Sequence, residues 1–309
     1  MPTLQQLRYL SAVAKTLNFS RAAEMCHVTQ PTLSLQIKAL EDRLGTRLIE
    51  RTRARVLLTP AGAEIARRAE TIAAEVEDIR EIARRDDMTA LQRDLRLGVV
   101  HTVGAYVLSV VMPQVRAAYP DTRLQVREDS AEMLVEGVLE GRYDVLILPE
   151  PPDHADLRAA VIVDEALLAV LPQGHRLAGQ DAINPAALRG ETVLTTDFGP
   201  AVNSAVARLC HGVGAVQASE YDGTTLDTLR QMVAAGMGMS FLPALYVRSE
   251  VAREEAVVAV ALAGAPLVRG VSLVWRQSAP RGDSYSALAA LMRGALAPWG
   301  APPREDEGV

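Results

Sequence analysis

Thiols are scarce in this sequence: two cysteines, Cys26 and Cys210, in 309 residues. They lie far apart, so no disulfide framework is implied, and reduced thiols in a reducing compartment are the expectation. Long apolar runs are also missing. None approaches the roughly 20 residues that a membrane span needs, and the N-terminus, MPTLQQLRYL, lacks the basic-then-apolar layout of a signal peptide. A soluble, cytoplasmic protein without membrane contact is expected. The five histidines, at 27, 101, 154, 175 and 211, are scattered. No His/Cys/Asp/Glu cluster has metal-ligand spacing, so no metal or other cofactor is expected. Gly236-Met237-Gly238 is too little for a dinucleotide fingerprint, since it lacks the third glycine and follows a helix.

Lysine occurs only twice, at Lys15 and Lys38, and both fall in the first 60 residues. That segment holds nine Lys or Arg against four Asp or Glu, a net of +5, which leaves -11 of the chain's -6 total for the other 249 residues. A basic module on an acidic body fits nucleic-acid contact confined to one end.

Within the basic module, Leu4, Leu7, Leu10 and Val13, with Tyr9 beside them, make one apolar face of a helix over 4–16. Asn18 reads as the N-cap of a second helix, FSRAAEMCH, in which Ala22 and Ala23 permit close approach and Cys26 is a small packing residue. Val28 and Thr29 form a turn. Gln30 and Pro31 open a third helix that buries Leu33, Ile37, Leu40 and Leu44 and stops at Gly45. This is a helix-turn-helix. Its reading face carries Gln30, Pro31, Thr32, Ser34, Gln36 and Lys38, joined by Ser20 and Arg21 at the start of the second helix. Such hydroxyls and amides bond base edges, and a lysine reaches phosphate or guanine. Leu48–Glu50 and Val56–Leu58 pair as a hairpin whose Arg51, Arg53 and Arg55 line a wing along the DNA backbone. The domain is expected over 1–58.

Thr59 and Pro60 then start a linker helix over 59–87. Ile65, Ala69, Ile72, Val76 and Ile79, followed by Ala83, recur at alternating steps of four and three, a heptad stripe that calls for a partner helix. The stripe either dimerises the protein or packs on its own domain. Residues 86–93 read as a hinge. From Leu95 strands and helices alternate, implying a parallel sheet with helices on both faces. Strands are expected at 95–101, 122–129, 143–149, 164–172, 192–197, 215–222, 239–244 and 268–276. Crossings near 164–168 and 267–271 divide this α/β part into lobe I, 92–165 with 268–300, and lobe II, 166–267. Ligands bind such sheets at the C-terminal strand ends and between lobes. The closing PPREDEGV reads as disordered.

The stretch FSRAAEMCHVTQPTLSLQIKALEDRLGTRLIERT, followed by LTPAG, resembles the signature of the LysR family of transcriptional regulators. HTVGAYVL near 101 and TLDTLRQMVAAGMGMSFLPAL at 225–245 are similar to its peroxide-responsive OxyR branch. The resemblance implies a multidomain α+β protein: a winged helix-turn-helix, a long dimerising linker helix and a two-lobed domain like that of periplasmic binding proteins. It implies a homodimer or homotetramer on an inverted-repeat site in double-stranded DNA, an activator that contacts RNA polymerase, and no enzymatic activity.

The OxyR pattern also implies a peroxidatic cysteine after a Gly-His pair and a resolving cysteine downstream. Here the segment is TDFGPAVNSAVARLCHGVGA. The upstream position falls at Pro200 or Ala201, without sulfur, and Cys210 matches the downstream one. A sensing disulfide within this domain is therefore impossible. Either Cys210 is the sole redox sensor, oxidised to a sulfenic acid or mixed disulfide, or a small-molecule effector is sensed between the lobes without thiol chemistry, or Cys210 fills a core beside Val202, Val206 and Leu209. Effector contacts are expected from Thr102, which matches an OxyR threonine near the peroxide site, and from Ser130, Asp197, Asn203, Thr224 and Thr225; helix capping is the alternative for each. A solute-binding module or an α/β enzyme would leave residues 1–60 without a use.

Overall fold

The structure, a computed structural model, describes residues 1–51, 55–83, 91, 94–218, 220, 224–264 and 266–301, without the side chains of 51, 77, 78 and 81–83. Two compact units emerge, 1–88 with 135–144, and 89–134 with 145–309. Most of the expected hinge at 86–93 and all of the tail at 302–309 lie outside the described residues.

The first unit runs α1 (Leu4–Thr16), α2 (Phe19–Met25), α3 (Gln30–Leu44), β1 (Ile49–Arg51), β2 (Val56–Leu58) and α4 (Pro60–Ala83). Each helix starts on a side-chain cap. Thr3 and Gln6 form a reciprocal capping box on α1, Asn18 accepts from the N–H groups of Ser20 and Arg21, and Thr29 accepts from that of Thr32. Gly45 closes α3 at a φ of 68°, a conformation glycine adopts without strain. Leu10, Val13, Ala22, Leu33, Ile37, Leu40 and Leu48 form the core.

Three local expectations are corrected. Helix α2 ends at Met25, not His27: Cys26 is its C-cap, His27 turns left-handed at φ 54°, and Val28 N–H bonds back to Ala23. Leu4 and Leu44 are exposed. Gln6 is buried in their stead, because Thr3, Gln36 and Arg43 satisfy its amide. The hairpin begins one residue late, since Leu48 belongs to the core and the Glu41 carboxylate accepts from Leu48 and Ile49 N–H at 2.8 and 3.1 Å.

Helix α4 is tied to this core at its start. Thr59 Oγ1 donates to the Arg47 carbonyl at 2.8 Å and accepts from Gly62 N–H at 2.9 Å. A Cβ on Gly62 would meet the Leu48 carbonyl oxygen at 1.9 Å, so only glycine lets the helix approach the chain just before β1. The heptad stripe divides: Ala69 is buried and Ile65 packs on the core, whereas Ile72 and Ile79 are 40% and 63% exposed.

The second unit runs β3 (Asp94–Val99), α5 (Gly104–Ala118), β4 (Arg123–Glu128), α6 (Ala131–Leu139, its second half counted with the first unit), β5 (Val145–Pro149), β6 (Leu157–Pro172), β7 (Ala182–Ile183), β8 (Thr192–Leu194), α7 (Pro200–Val213), β9 (Val216–Ala218), α8 (Leu226–Ala234), β10 (Met239–Pro243), α9 (Ala244–Ser249), β11 (Val257–Leu262), β12 (Val268–Arg276) and α10 (Gly282–Leu296). The main strand order is β4-β3-β5-β12-β6-β10-β8-β9, with β11 on β6 and β7 on β11. The all-parallel expectation is corrected to a mixed sheet. β3 pairs parallel with β4 and β5, and β8 with β9 and β10, but β6 and β12 run antiparallel to each other and to their other neighbours. These two long strands carry the chain between the halves, and Ala166 pairs with Val268 where crossings were expected. The first half of β6 and the whole of β7, α9 and β11 were not anticipated.

Candidate nucleic-acid interface and sensing site

On the first unit, Ser20, Arg21, Gln30, Pro31, Thr32 and Lys38 are exposed and Ser34 is half-buried. The Thr32 hydroxyl lies 2.8 Å from that of the cap residue Thr29. Gln36 is half-buried and its side-chain oxygen accepts from Gln6 on α1 at 3.1 Å, which braces α3 against α1. Arg55 is exposed in the connection between the two strands, just before β2; Arg53 and the side chain of Arg51 lie outside the described residues. A groove of about 650 Å³ runs along α3 to the hairpin, with Lys38 and Arg47 both in its wall. Glu41 and Asp42 share the wall with the two cations and with the hydroxyl residues Ser34 and Thr46, so the positive charge that suits a phosphate backbone comes from the unit as a whole, +5 over the first 60 residues. Sequence reasoning missed Arg47, and it missed Leu35, 66% exposed on the same helix.

In the second unit, only Thr102 of the six expected effector contacts enters a buried polar cluster. Arg269 on β12 donates through Nη2 to Glu165 Oε2 at 2.7 Å, and reaches the Thr102 hydroxyl and carbonyl at 3.5 and 3.4 Å. Glu165 on β6 accepts from Leu245 N–H at 2.7 Å with its other oxygen. The Arg269 and Glu165 side chains are 2% and 0% exposed, yet among the described residues Arg269 Nε has no hydrogen-bond partner. The pair sits in register on the two crossing strands. Charged letters within the apolar runs DEALLAVLP and VRGVSLVWR were the available signal.

Two of the other contacts cap helices. Ser130 Oγ accepts from Met133 N–H, and Thr225 Oγ1 from Thr228 N–H. Asp197 accepts from Gly199 N–H and from the Asn203 amide, whose oxygen accepts from Phe198 N–H; the Thr224 carbonyl accepts from Thr196. Together they shape the loop that enters α7.

That loop leads to an unanticipated contact. The Glu150 carboxylate, just after β5, accepts from the first-turn N–H groups of α7, Ala201 at 2.8 Å and Val202 at 3.1 Å. Free N–H groups at a helix start attract anions. The first turn of α7, which holds Pro200 and Ala201, is therefore capped by a carboxylate of this chain. Glu150 adopts a φ of 52° and Gly199 one of 102°; a Cβ on Gly199 would come within 3.2 Å of the Glu150 carboxyl carbon.

Cys210 lies near the other end of α7, 3% exposed, in a core with Val202, Val206 and Leu229. Arg208 and His211 are exposed and not buried with it. Burial pushes the Cys210 thiol up from the ordinary cysteine value. The half-buried Cys26 thiol is raised by burial too, partly offset by Arg8. Only thiolate is alkylated, so in a Cys26→Ser background native Cys210 should react with iodoacetamide at a rate still climbing with pH above about 8.5. The urea-unfolded chain should reach half its limiting rate near that pH and the native chain only at a higher one; a native midpoint at the same pH would remove burial as the cause. The folded state holds this proton more tightly. Its stabilisation is present below the ordinary thiol pKa and is lost as pH rises through the raised one.

Among the described residues no group of three or more His, Cys, Asp or Glu is placed to hold a metal, and no helix is long and apolar enough to cross a membrane. The bacterial regulatory helix-turn-helix protein, lysR family, matches residues 4–63, and the LysR substrate binding domain matches 89–297. The chain is 37% identical over 300 residues to a probable hydrogen peroxide-inducible genes activator of Streptomyces viridosporus, covering 96% of this chain and 95% of that one. It is 34% identical over 290 residues to the DNA-binding transcriptional dual regulator OxyR of Escherichia coli K12, 94% of each. A full-length cysteine-to-aspartate variant of OxyR from Pseudomonas aeruginosa superposes with a TM-score of 0.77 at 30% identity over 94% of both chains. A peroxide-bound OxyR mutant of Corynebacterium glutamicum gives 0.63 at 27% identity over 96% and 95%.

Proposed function

Because this chain belongs to the LysR family of transcriptional regulators and is OxyR-like along its length, we propose that it is a cytoplasmic, non-enzymatic activator of peroxide-inducible genes that senses through Cys210. The observation that carries this reading is that Cys210 is the sole thiol of a sensing unit otherwise similar to those of peroxide-inducible activators. The Cys210 thiolate attacks one oxygen of hydrogen peroxide. An S–O bond forms, the O–O bond breaks, and the departing hydroxide takes a proton and leaves as water; sulfur is oxidised to a sulfenic acid and peroxide is reduced.

Burial slows the attack and makes the product effective. The added oxygen is polar and enlarges a side chain already packed against Val202 and Val206, so α7 must shift to solvate it. Since Glu150 grips the other end of α7, that shift is felt across the sheet. Ile72, Val76 and Ile79, the part of the stripe not taken up by the unit's own core, pair protomers along α4 into a dimer, which assembles further into a tetramer, and the paired heads read an inverted repeat beside RNA polymerase. Lobe I corresponds to 92–165 with 268–300 and lobe II to 166–267.

The test is transcription from a bound promoter with and without micromolar peroxide, in wild type and Cys210→Ser. Wild type should be induced and the mutant should not. An equal response in both would remove Cys210 from the mechanism. A second reading, a small polar effector without thiol chemistry, is favoured by Arg269, buried with Thr102, whose Nε has no hydrogen-bond partner among the described residues. It takes over if neither protein responds to peroxide.

A further inference from the structure

We propose that Leu35 reads thymine, through apolar contact with the 5-methyl group in the major groove. The inference rests on the family's DNA-binding role and deepens it. On α3 the buried face is Leu33, Ile37 and Leu40. At 3.6 residues per turn Leu35 points about 200° away from Leu33, almost opposite the core. Its neighbours on that crest are Pro31, one turn before, and Lys38, one turn after, both exposed. Among the described residues of the first unit nothing buries it: the side chain is 66% exposed, the most exposed of the large apolar side chains described in the helices there.

Such exposure gains nothing for folding, and a large apolar side chain amid a polar surface points to a partner. The surroundings say which. Thr32, Ser34 and Lys38 flank it; the adjoining groove is lined by Lys38 and Arg47 together with Glu41 and Asp42, and the first 60 residues carry a net +5, an excess that suits a polyanionic partner. Within a major groove the only apolar group among the base edges is the thymine methyl. Leu35 and Pro31 form the short apolar strip that matches it, while the hydroxyls beside them bond the neighbouring edges. A second copy of this chain would bring the same positive charge to the same face.

The test uses a duplex carrying the tightest site that the full-length protein selects from a random pool. Each thymine is replaced in turn by deoxyuridine, which lacks only the methyl. Wild type should lose about 3- to 10-fold in affinity at one thymine of each half-site and little elsewhere. Leu35→Ala should bind the parent site more weakly, lose less than about 2-fold at those same thymines, and keep its affinity for unrelated DNA and its salt dependence. Tolerance of every deoxyuridine by wild type overturns the proposal, as does an undiminished penalty in Leu35→Ala. A change of oligomeric state in Leu35→Ala with the deoxyuridine penalty intact also overturns it and assigns the face to a contact between copies. A wild type that selects no site at all removes the DNA-reading premise itself, an outcome distinct from the others.

Discussion

Arg269→Met is expected to destabilise the second unit by about 3–5 kcal/mol, the usual cost of stranding one partner of a buried ion pair. Arg269 and Glu165 are almost wholly excluded from solvent. Removing the guanidinium leaves the Glu165 carboxylate held only by Leu245 N–H, or forces it to take up a proton. Because the two residues face each other on the strands that join the halves of the sheet, the loss falls where the halves are connected. Trp275 and Trp299 are the only tryptophans and both lie in this unit, so urea unfolding followed by tryptophan fluorescence reports on it alone. Adding Glu165→Gln to Arg269→Met should recover much of the loss, since a neutral amide tolerates burial better than a stranded charge. A single-mutant loss below about 1 kcal/mol would mean that water already screens the pair, as at exposed sites. The same variant bears on the second functional reading, because it deletes the guanidinium buried with Thr102.

Where side-chain type and spacing decide structure locally, the sequence was readable. Asn18, Thr29 and Gly45 bound helices because caps act within a few residues. Leu33, Ile37 and Leu40 face inward because a 3.6-residue period leaves them no other side. The crossings near 164–168 and 267–271 were expected from apolar strands that follow another strand with no helix between them. The failures have a common physical origin in long-range pairing. Leu157–Val163 alternates too weakly to read as a strand and is held as one by β12 across more than a hundred residues. Val257–Leu262 pairs with β6 and β7 in the same non-local way. At the site, Thr225 and Ser130 looked like ligand contacts because a hydroxyl that caps a helix is the same letter as one that binds an effector. Glu150 offered no pattern, since its partners are backbone N–H groups that any sequence would supply. Leu35 was overlooked because the search of α3 was for polar letters.

Under the proposed mechanism, Cys210→Asp should switch the regulator on without peroxide. A sulfenic acid at Cys210 matters through its size and polarity inside an apolar core, and a carboxylate presents both permanently. An ionised carboxylate in that core would cost several kcal/mol without a partner, more than the few kcal/mol that separate the states of a typical switch. Helix α7 should therefore leave its reduced position rather than bury the charge. The expected result is reporter activity without peroxide at the level of the induced wild type, with faster amide hydrogen exchange along 200–213. Cys210→Val, apolar and similar in volume, should keep exchange slow and the reporter silent with or without peroxide. If Cys210→Asp proves inactive yet folded by tryptophan fluorescence, displacement of α7 is not the signal, and oxidation of Cys210 would have to act through a mixed disulfide that no side-chain substitution copies. If Cys210→Val still responds to peroxide, the thiol is a packing residue and the search moves to Thr102 and Arg269. Glu150→Gln separates the grip on α7 from the thiol. A neutral amide oxygen still accepts hydrogen bonds but holds a helix start less strongly than a carboxylate, so the variant should lower the peroxide needed for half-induction without abolishing the response.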